Sequence, residues 1–235
     1  MKRESRILLG LFLGLLPVVA SSQEKLEASI GCDLVSSYIW RGQKCGETSV
    51  QPTASLCYKG INLEAWGSVG ITDSDDAKEL DLTLSYNKGG FSIGITDYFV
   101  TSEDARYFLY DSGRTSHTFE AYASYDFNIF SIGWYTNFAG KDGMTKEGKR
   151  AYSSYFEANV PFNLGGLSFT ATLGCVPYYT DYYADKNSSG FAVTNISLQA
   201  KKEISITSKF SLPLFAALTS NPSSQKMYLT AGITF

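Results

Sequence analysis

One histidine, four cysteines and a scatter of carboxylates are the groups with which this chain could do chemistry. A hydrolytic site needs a nucleophile, a base within hydrogen-bond reach and a third group that orients the base. His117 follows Ser116 directly, and neighbours along a strand point to opposite faces, so the two do not form such a pair. The expectation for His117 is a histidine of an interface or a loop. Asp33, Glu64, Asp81, Glu120 and Glu157 fall at positions that would point inward, where ion pairs and hydrogen bonds with Arg41 fit better than acid/base catalysis. As an inward acidic set they would favour cations. No catalytic residue is expected, and the chain does not read as an enzyme.

Cys32, Cys45, Cys57 and Cys175 lie far apart, and with a single histidine they match no C-x-x-C or Cys/His zinc spacing. In an exported protein they could pair, with Cys32 and Cys57 best placed because both fall toward the same end of neighbouring segments; unpaired packing cysteines fit equally well. The run Asp73, Ser74, Asp75, Asp76 begins like a calcium loop, yet Lys78 replaces the glycine turn and Leu84 stands where a closing Glu belongs. A solvated loop is expected there. Tyr178, Tyr179, Tyr182 and Tyr183 fit an interfacial girdle better than a grip on a sugar or a surface partner. No phosphate-binding glycine loop is present, so neither a metal nor a cofactor is expected.

The elements that would position these residues begin after a leader. Lys2, Arg3 and Arg6 precede an apolar run from Ile7 to Ala20, and Ala20 and Ser22 stand at the −3 and −1 positions of a cleavage before Gln23. That is the pattern of a secretory signal peptide over 1–22, with one mature domain over 23–235. Cleavage leaves 17 basic against 22 acidic residues, a net charge of −5, which argues against nucleic acid as a partner. Past the leader no run approaches the ~18 apolar residues of a helical span.

A β-barrel escapes that test because its strands alternate lipid-facing and lumen-facing side chains. Twelve segments here alternate apolar with small or polar residues, the period of a strand with two unlike faces. In the first, Ile30, Cys32, Leu34, Tyr38 and Trp40 share one face, and Gly31, Asp33, Ser37 and Arg41 the other. Leu80, Leu82, Leu84 and Tyr86 oppose Asp81, Thr83 and Ser85 in the fourth; Phe119, Ala121, Ala123 and Tyr125 oppose Thr118, Glu120, Tyr122 and Ser124 in the sixth. The eleventh, Phe210 to Leu218, carries Pro213, which in a closed sheet predicts a bulge.

Connections alternate in length. Short turns fall at 59–60, 87–90, 126–128, 161–166 and 202–208, and longer polar stretches at 42–48, 72–78, 100–117, 138–149, 176–190 and 219–224. The pattern predicts an all-β fold, an antiparallel transmembrane barrel of about twelve strands with short periplasmic turns and longer extracellular loops. Its partners would be outer-membrane lipids and the barrel-insertion machinery, which reads a terminal aromatic such as Phe235, with small solutes or ions in the lumen. A soluble β-sandwich or lipocalin-like barrel would expose the Ser/Thr/Gly rows to water without the Lys and Glu that normally solvate such a face.

Twelve strands spaced ~4.8 Å apart and tilted ~40° enclose a backbone radius of about 12 Å. The inward rows hold small residues, among them Ser37, Ser55, Thr83, Gly94, Gly133, Gly174 and Gly232, which predict a narrow watery lumen. Trp66, Tyr122, Tyr135 and Tyr228 are the inward residues bulky enough to plug it. The readings left are a narrow diffusion channel, a closed structural or adhesive barrel, and, lacking a visible triad, a barrel hydrolase acting on lipids.

The stretch Asp33, Leu34, Val35, Ser36, Ser37, Tyr38, Ile39, Trp40, Arg41, Gly42, followed by Gln51, Pro52 and then Trp66, Gly67, Ser68, resembles the TorF-related porin family of Bacteroidetes-type outer-membrane proteins. The matching motifs cover about the first 45 mature residues. The resemblance implies outer-membrane placement and passive transport without naming a solute, and marks Arg41 as a lumen residue.

Overall fold

Period-two alternation yields strands in almost every segment where it occurs. The structure, a computed structural model, describes residues 25–72, 76, 78–101, 104–111, 113–183, 190–207 and 210–235. The expected leader over 1–22, its cleavage at Gln23, and Asp73, Ser74 and Asp75 of the acidic loop lie outside the described residues. The strands are β1 (Glu27–Val35), β2 (Tyr38–Trp40), β3 (Gln43–Gly46), β4 (Ser49–Tyr58), β5 (Ile61–Gly70), β6 (Glu79–Lys88) and β7 (Phe91–Val100). They continue with β8 (His117–Asp126), β9 (Ser131–Gly140), β10 (Ser154–Leu164), β11 (Leu167–Val176), β12 (Ala192–Thr207), β13 (Phe210–Asn221) and β14 (Lys226–Thr234). Twelve of them close into one antiparallel barrel, each paired with its neighbours in the chain, and β2 and β3 form a separate hairpin.

Closure falls between β1 and β14. Asp33 pairs with Thr234 and Val35 with Gly232, and beyond this short ladder Cys32 and Phe235 exchange backbone hydrogen bonds. The outer surface carries Leu80, Leu82 and Leu84 on β6, Ile93 and Ile95 on β7, Leu198 on β12 and Leu229 on β14, all exposed. A ten-residue strand tilted about 40° rises about 26 Å, the height of the apolar band of an outer-membrane barrel. Apolar rows of this extent are stable against hydrocarbon rather than water. The barrel is a transmembrane one.

Tight turns cluster at the end that holds Phe235. Lys59 and Gly60 both have positive φ, the backbone of a primed two-residue hairpin whose twist matches its strands, and a Cβ on Gly60 would meet Asn87 O at 2.5 Å. At the opposite end the connections are long, except that β13 and β14 are joined by only 222–225 where a longer stretch was predicted. Likewise β12 runs on to Thr207, so most of the turn predicted at 202–208 is strand.

Four further points are decided by the structure. β1 stops at Val35, so Tyr38, Trp40 and Arg41 do not extend its faces but belong to the hairpin. Pro213 sits opposite Glu203 in unbroken register, and the shift between β12 and β13 falls at Ser205/Thr207. Pairing with β14 begins only at Leu214, which leaves one side of Pro213 without a ladder partner and makes a missing N–H harmless. Of the two readings open for the cysteines, the unpaired one holds: Cys32 and Cys57 lie five register positions apart on opposite faces, and all four cysteines are free.

The fourth concerns the inward glycines, which do not open the lumen. A Cβ on Gly94 would lie 2.7 Å from the Tyr122 ring, on Gly133 2.8 Å from the Tyr135 ring and on Gly232 2.3 Å from the Phe215 ring, and Gly174 is likewise covered by Tyr155. Each glycine is roofed by an aromatic ring from its own or an adjacent strand, an arrangement that shields the bare backbone and fills the space a side chain would take. A lysine placed at Leu84, on the outer face near mid-height, is expected to cost about 2–4 kcal/mol in urea unfolding from lipid vesicles, and one at inward Thr83 no more than about 1 kcal/mol. Equal costs would contradict the assignment of faces.

Candidate functional site in the barrel lumen

The chain leaves β1 and turns into the barrel instead of looping outward. Ser36 N–H donates to Ala231 O at 2.8 Å, and Ser37 Oγ bonds Thr230 Oγ1 at 3.0 Å, which ties the start of the turn to β14. The β2–β3 hairpin then crosses the lumen with Arg41 and Gly42 at its tip, both at positive φ (49° and 79°). Gly42 is required twice over: a Cβ there would collide with Thr194 O on β12, and its carbonyl accepts from Asn221 Nδ2 at 3.0 Å. The tip is therefore docked on β12 and β13, three and two places from β1 around the barrel.

At that point Arg41 meets Glu120 of β8 as a two-pronged ion pair, Nη2 to Oε1 at 2.9 Å and Nη1 to Oε2. Side-chain exposures of 7% and 1% make it a buried pair. The carboxylate also accepts from Tyr98 Oη at 2.9 Å and Tyr183 Oη at 3.2 Å, and Tyr183 Oη in turn accepts from Arg41 Nη1. The guanidinium carbon lies 4.4, 4.3 and 4.7 Å from the ring centres of Trp40, Tyr135 and Tyr155. Burying two charges costs several kcal/mol per ion unless geometry and extra hydrogen bonds offset it; fork-to-fork contact, two phenol donors and three π faces supply that here.

Aromatic packing spreads outward from the pair. Trp40 contacts Tyr98 at 5.7 Å, Tyr182 at 6.3 Å and Tyr183 at 5.7 Å between ring centres, so the described stretch 177–183 of the β11–β12 connection folds inward as well. It is braced on the β9–β10 connection by Thr180 and Ser153 hydroxyls in contact and by Met144 N–H donating to Asp181 Oδ1 at 2.6 Å. Tyr182 and Tyr183 are thus lumen residues, contrary to the girdle expected of them. Tyr178 does sit at the rim, 39% exposed and bonded to Ser154 and Tyr152.

The sequence-predicted residues divide into one cluster and its surroundings. Arg41, Glu120 and Tyr135 meet directly, and Tyr122 stacks on Tyr135 at 5.7 Å. Trp66 packs under Tyr38 of the hairpin at 5.4 Å and stands opposite Asp81 in register. Glu157 accepts from Tyr155 Oη at 2.9 Å and Asn159 Nδ2 at 3.0 Å. Glu64 faces Thr83 and Ser55 one step nearer the tight turns, and Asp33, between Gln51 and Thr234, lies outside the cluster. Sequence reasoning missed Tyr98, Tyr155, Tyr183, Asn195 and Asn221. Tyr155 continues the inward row read at Glu157, and Tyr98 falls two residues after Thr96 on the inward face of β7; Tyr183 has no such signal.

His117 lies elsewhere, fully buried on the outer face of β8. Its Nδ1 bonds Asp97 Oδ1 at 2.7 Å, its Nε2 bonds Tyr107 O at 2.6 Å, and Phe99 and Tyr110 pack on its ring. The stretch of the β7–β8 connection around Tyr107 and Tyr110 therefore folds against the outside of the barrel. In its exposed part a side-chain hydrogen bond from Arg114, with help from Gly113 N–H, holds Asp111 below the usual carboxylate range.

No family model matches the chain, and no curated protein does. Among solved structures, an outer membrane channel from Pseudomonas putida F1 is similar at 13% identity and a TM-score of 0.38, over 93% of this chain and 98% of that one.

Arg41→Ala strands a buried carboxylate and is expected to cost about 3–5 kcal/mol in urea unfolding. Arg41→Met with Glu120→Leu should recover most of that loss. A double variant no better than the single one would mean that the ion pair is not what holds the hairpin.

Proposed function

We propose that the protein is an outer-membrane channel whose lumen is narrowed by its own first extracellular connection, a passive route for small solutes and ions. The observation that carries this reading is the pairing of an apolar exterior with a polar interior, which the hairpin and the inward-folded part of the β11–β12 connection cross while a cavity of about 320 Å³ remains beside them. Below the hairpin the inward rows are Ser, Thr and Asn, such as Ser55, Asn62, Thr83, Ser85 and Ser92. Asp33, Glu64 and Glu157 are inward carboxylates with no cationic partner among the described residues, while Glu120 takes up the charge of Arg41, an arrangement that favours cations.

The resemblance to TorF-related porins supports the same reading, and the stretch that carries it, Asp33 to Gly42, is the one that runs from the closing strand to the hairpin tip. Export through a signal peptide cleaved before Gln23, and folding by insertion machinery that reads the Phe235 end, belong to the proposal. So does a Bacteroidetes-type source. We read the chain as non-enzymatic, with Asp97 and His117 fixing the β7–β8 connection to the wall.

A closed structural barrel is the second reading, favoured by the density of rings around Arg41. Single-channel recording in planar bilayers separates the two. The intact barrel should show small, cation-preferring steps, and deletion of 38–46 should enlarge them; His117→Ala should leave them unchanged. Silence from the intact barrel together with large steps from the deletion variant would favour the closed reading.

A further inference from the structure

On the far side of the docked hairpin the lumen keeps a cavity of about 320 Å³, within the range of roughly 300–1,000 Å³ typical of small-ligand pockets. Ile39, Arg41 and Gly42 roof it, and β10–β14 supply its wall. That wall is uncharged: Asn159, Thr172, Asn195, Ser197, Gln199 and Thr219 provide hydroxyls and amides. The roof contributes no free charge, because the guanidinium is spent on Glu120 and Tyr183. The adjoining carboxylate, Glu157, has one oxygen bonded to Tyr155 and the other to Asn159.

Asn195 is the decisive residue. It is 7% exposed, its Nδ2 donates to Tyr155 Oη at 3.2 Å, and its Oδ1 is buried with no partner among the described residues. A buried amide oxygen left unmatched costs free energy, which a small turn of the Asn195 amide toward the cavity it lines, and a donor there, would recover. Thr172 Oγ1 is already committed to Asn159 Oδ1 at 2.7 Å, which holds that amide in place at the cavity edge.

We infer that this cavity is a binding site for a neutral, polyhydroxylated solute of about monosaccharide size. Closely spaced neutral donors and acceptors match the alternating hydroxyls of a sugar. Among the described residues an anion would find no free cation at this wall, and a cation would meet only Glu157, both of whose oxygens already accept hydrogen bonds. The inference deepens the channel reading by naming a class of solute and a waiting position beside the constriction.

The test uses the full mature chain, folded in detergent, with saturation-transfer NMR titrations of glucose, glucosamine and glucuronate, three sugars of one size and three charges. Glucose should bind saturably and more tightly than either charged sugar. Asn195→Leu should weaken it about tenfold, the effect of one buried hydrogen bond. Thr219→Val, a milder change in the same wall, should weaken it less and guards against loss of folding in the first variant. Non-saturable glucose binding, equal or tighter binding of a charged sugar, or affinity unchanged in both variants would overturn the site. Glucose-driven liposome swelling is measured in parallel: swelling without saturable binding removes the site and keeps the channel, and saturable binding without swelling keeps the site and removes the channel.

Discussion

Hydrocarbon tolerates no unpaired backbone, so a sheet that crosses it must close on itself. That constraint organises this chain. The closing seam between β1 and β14 is also its thinnest ladder, three residue pairs extended by backbone bonds at Cys32, Ser36, Ala231 and Phe235. Because β1 must end at the seam, the residues after Val35 are released above it. They can then turn into the barrel instead of lengthening the wall.

Once inside, the hairpin has to satisfy its own polar groups in a confined space. Arg41 does so through a carboxylate from one wall, a phenol from an inward-folded connection and rings from two more strands, while Gly42 docks on β12 and β13. The pair thus ties the first connection to parts of the barrel remote in sequence. The glycines of the inward rows follow the same logic of space: where a ring must lie flat on the wall, the residue beneath it has no side chain.

The two sides of the hairpin differ in chemistry. Toward β5 and β6 stand Glu64, Glu79 and Asp81; toward β10–β14 stand amides and hydroxyls around Asn195. One side of the lumen thus carries carboxyl groups and the other mainly amides and hydroxyls, with Glu157 at its edge. The outer rim is arranged separately, with His117 and Asp97 pinning the β7–β8 connection against the lipid-facing wall.

The barrel was legible in the sequence because its signal is local. A period of two, a polar or glycine turn and an apolar exterior are set by neighbours in the chain, and they named all twelve wall strands, the outward rows and the inward placement of Glu120, Tyr122 and Tyr135. Motif residues near the first strand also pointed to Arg41 as a lumen residue. What the hairpin does was not legible. Tyr38 and Trp40 continue the alternation of β1 closely enough to be read as wall, and nothing local says that Arg41 reaches a carboxylate 79 positions away or that Tyr183 turns inward to meet it. The inward glycines were misread for the same reason, since the ring that covers Gly94 or Gly232 comes from another strand. Face and period are properties of a strand and are written in its sequence; contacts across a lumen depend on how twelve strands close, and only the tertiary structure decides them.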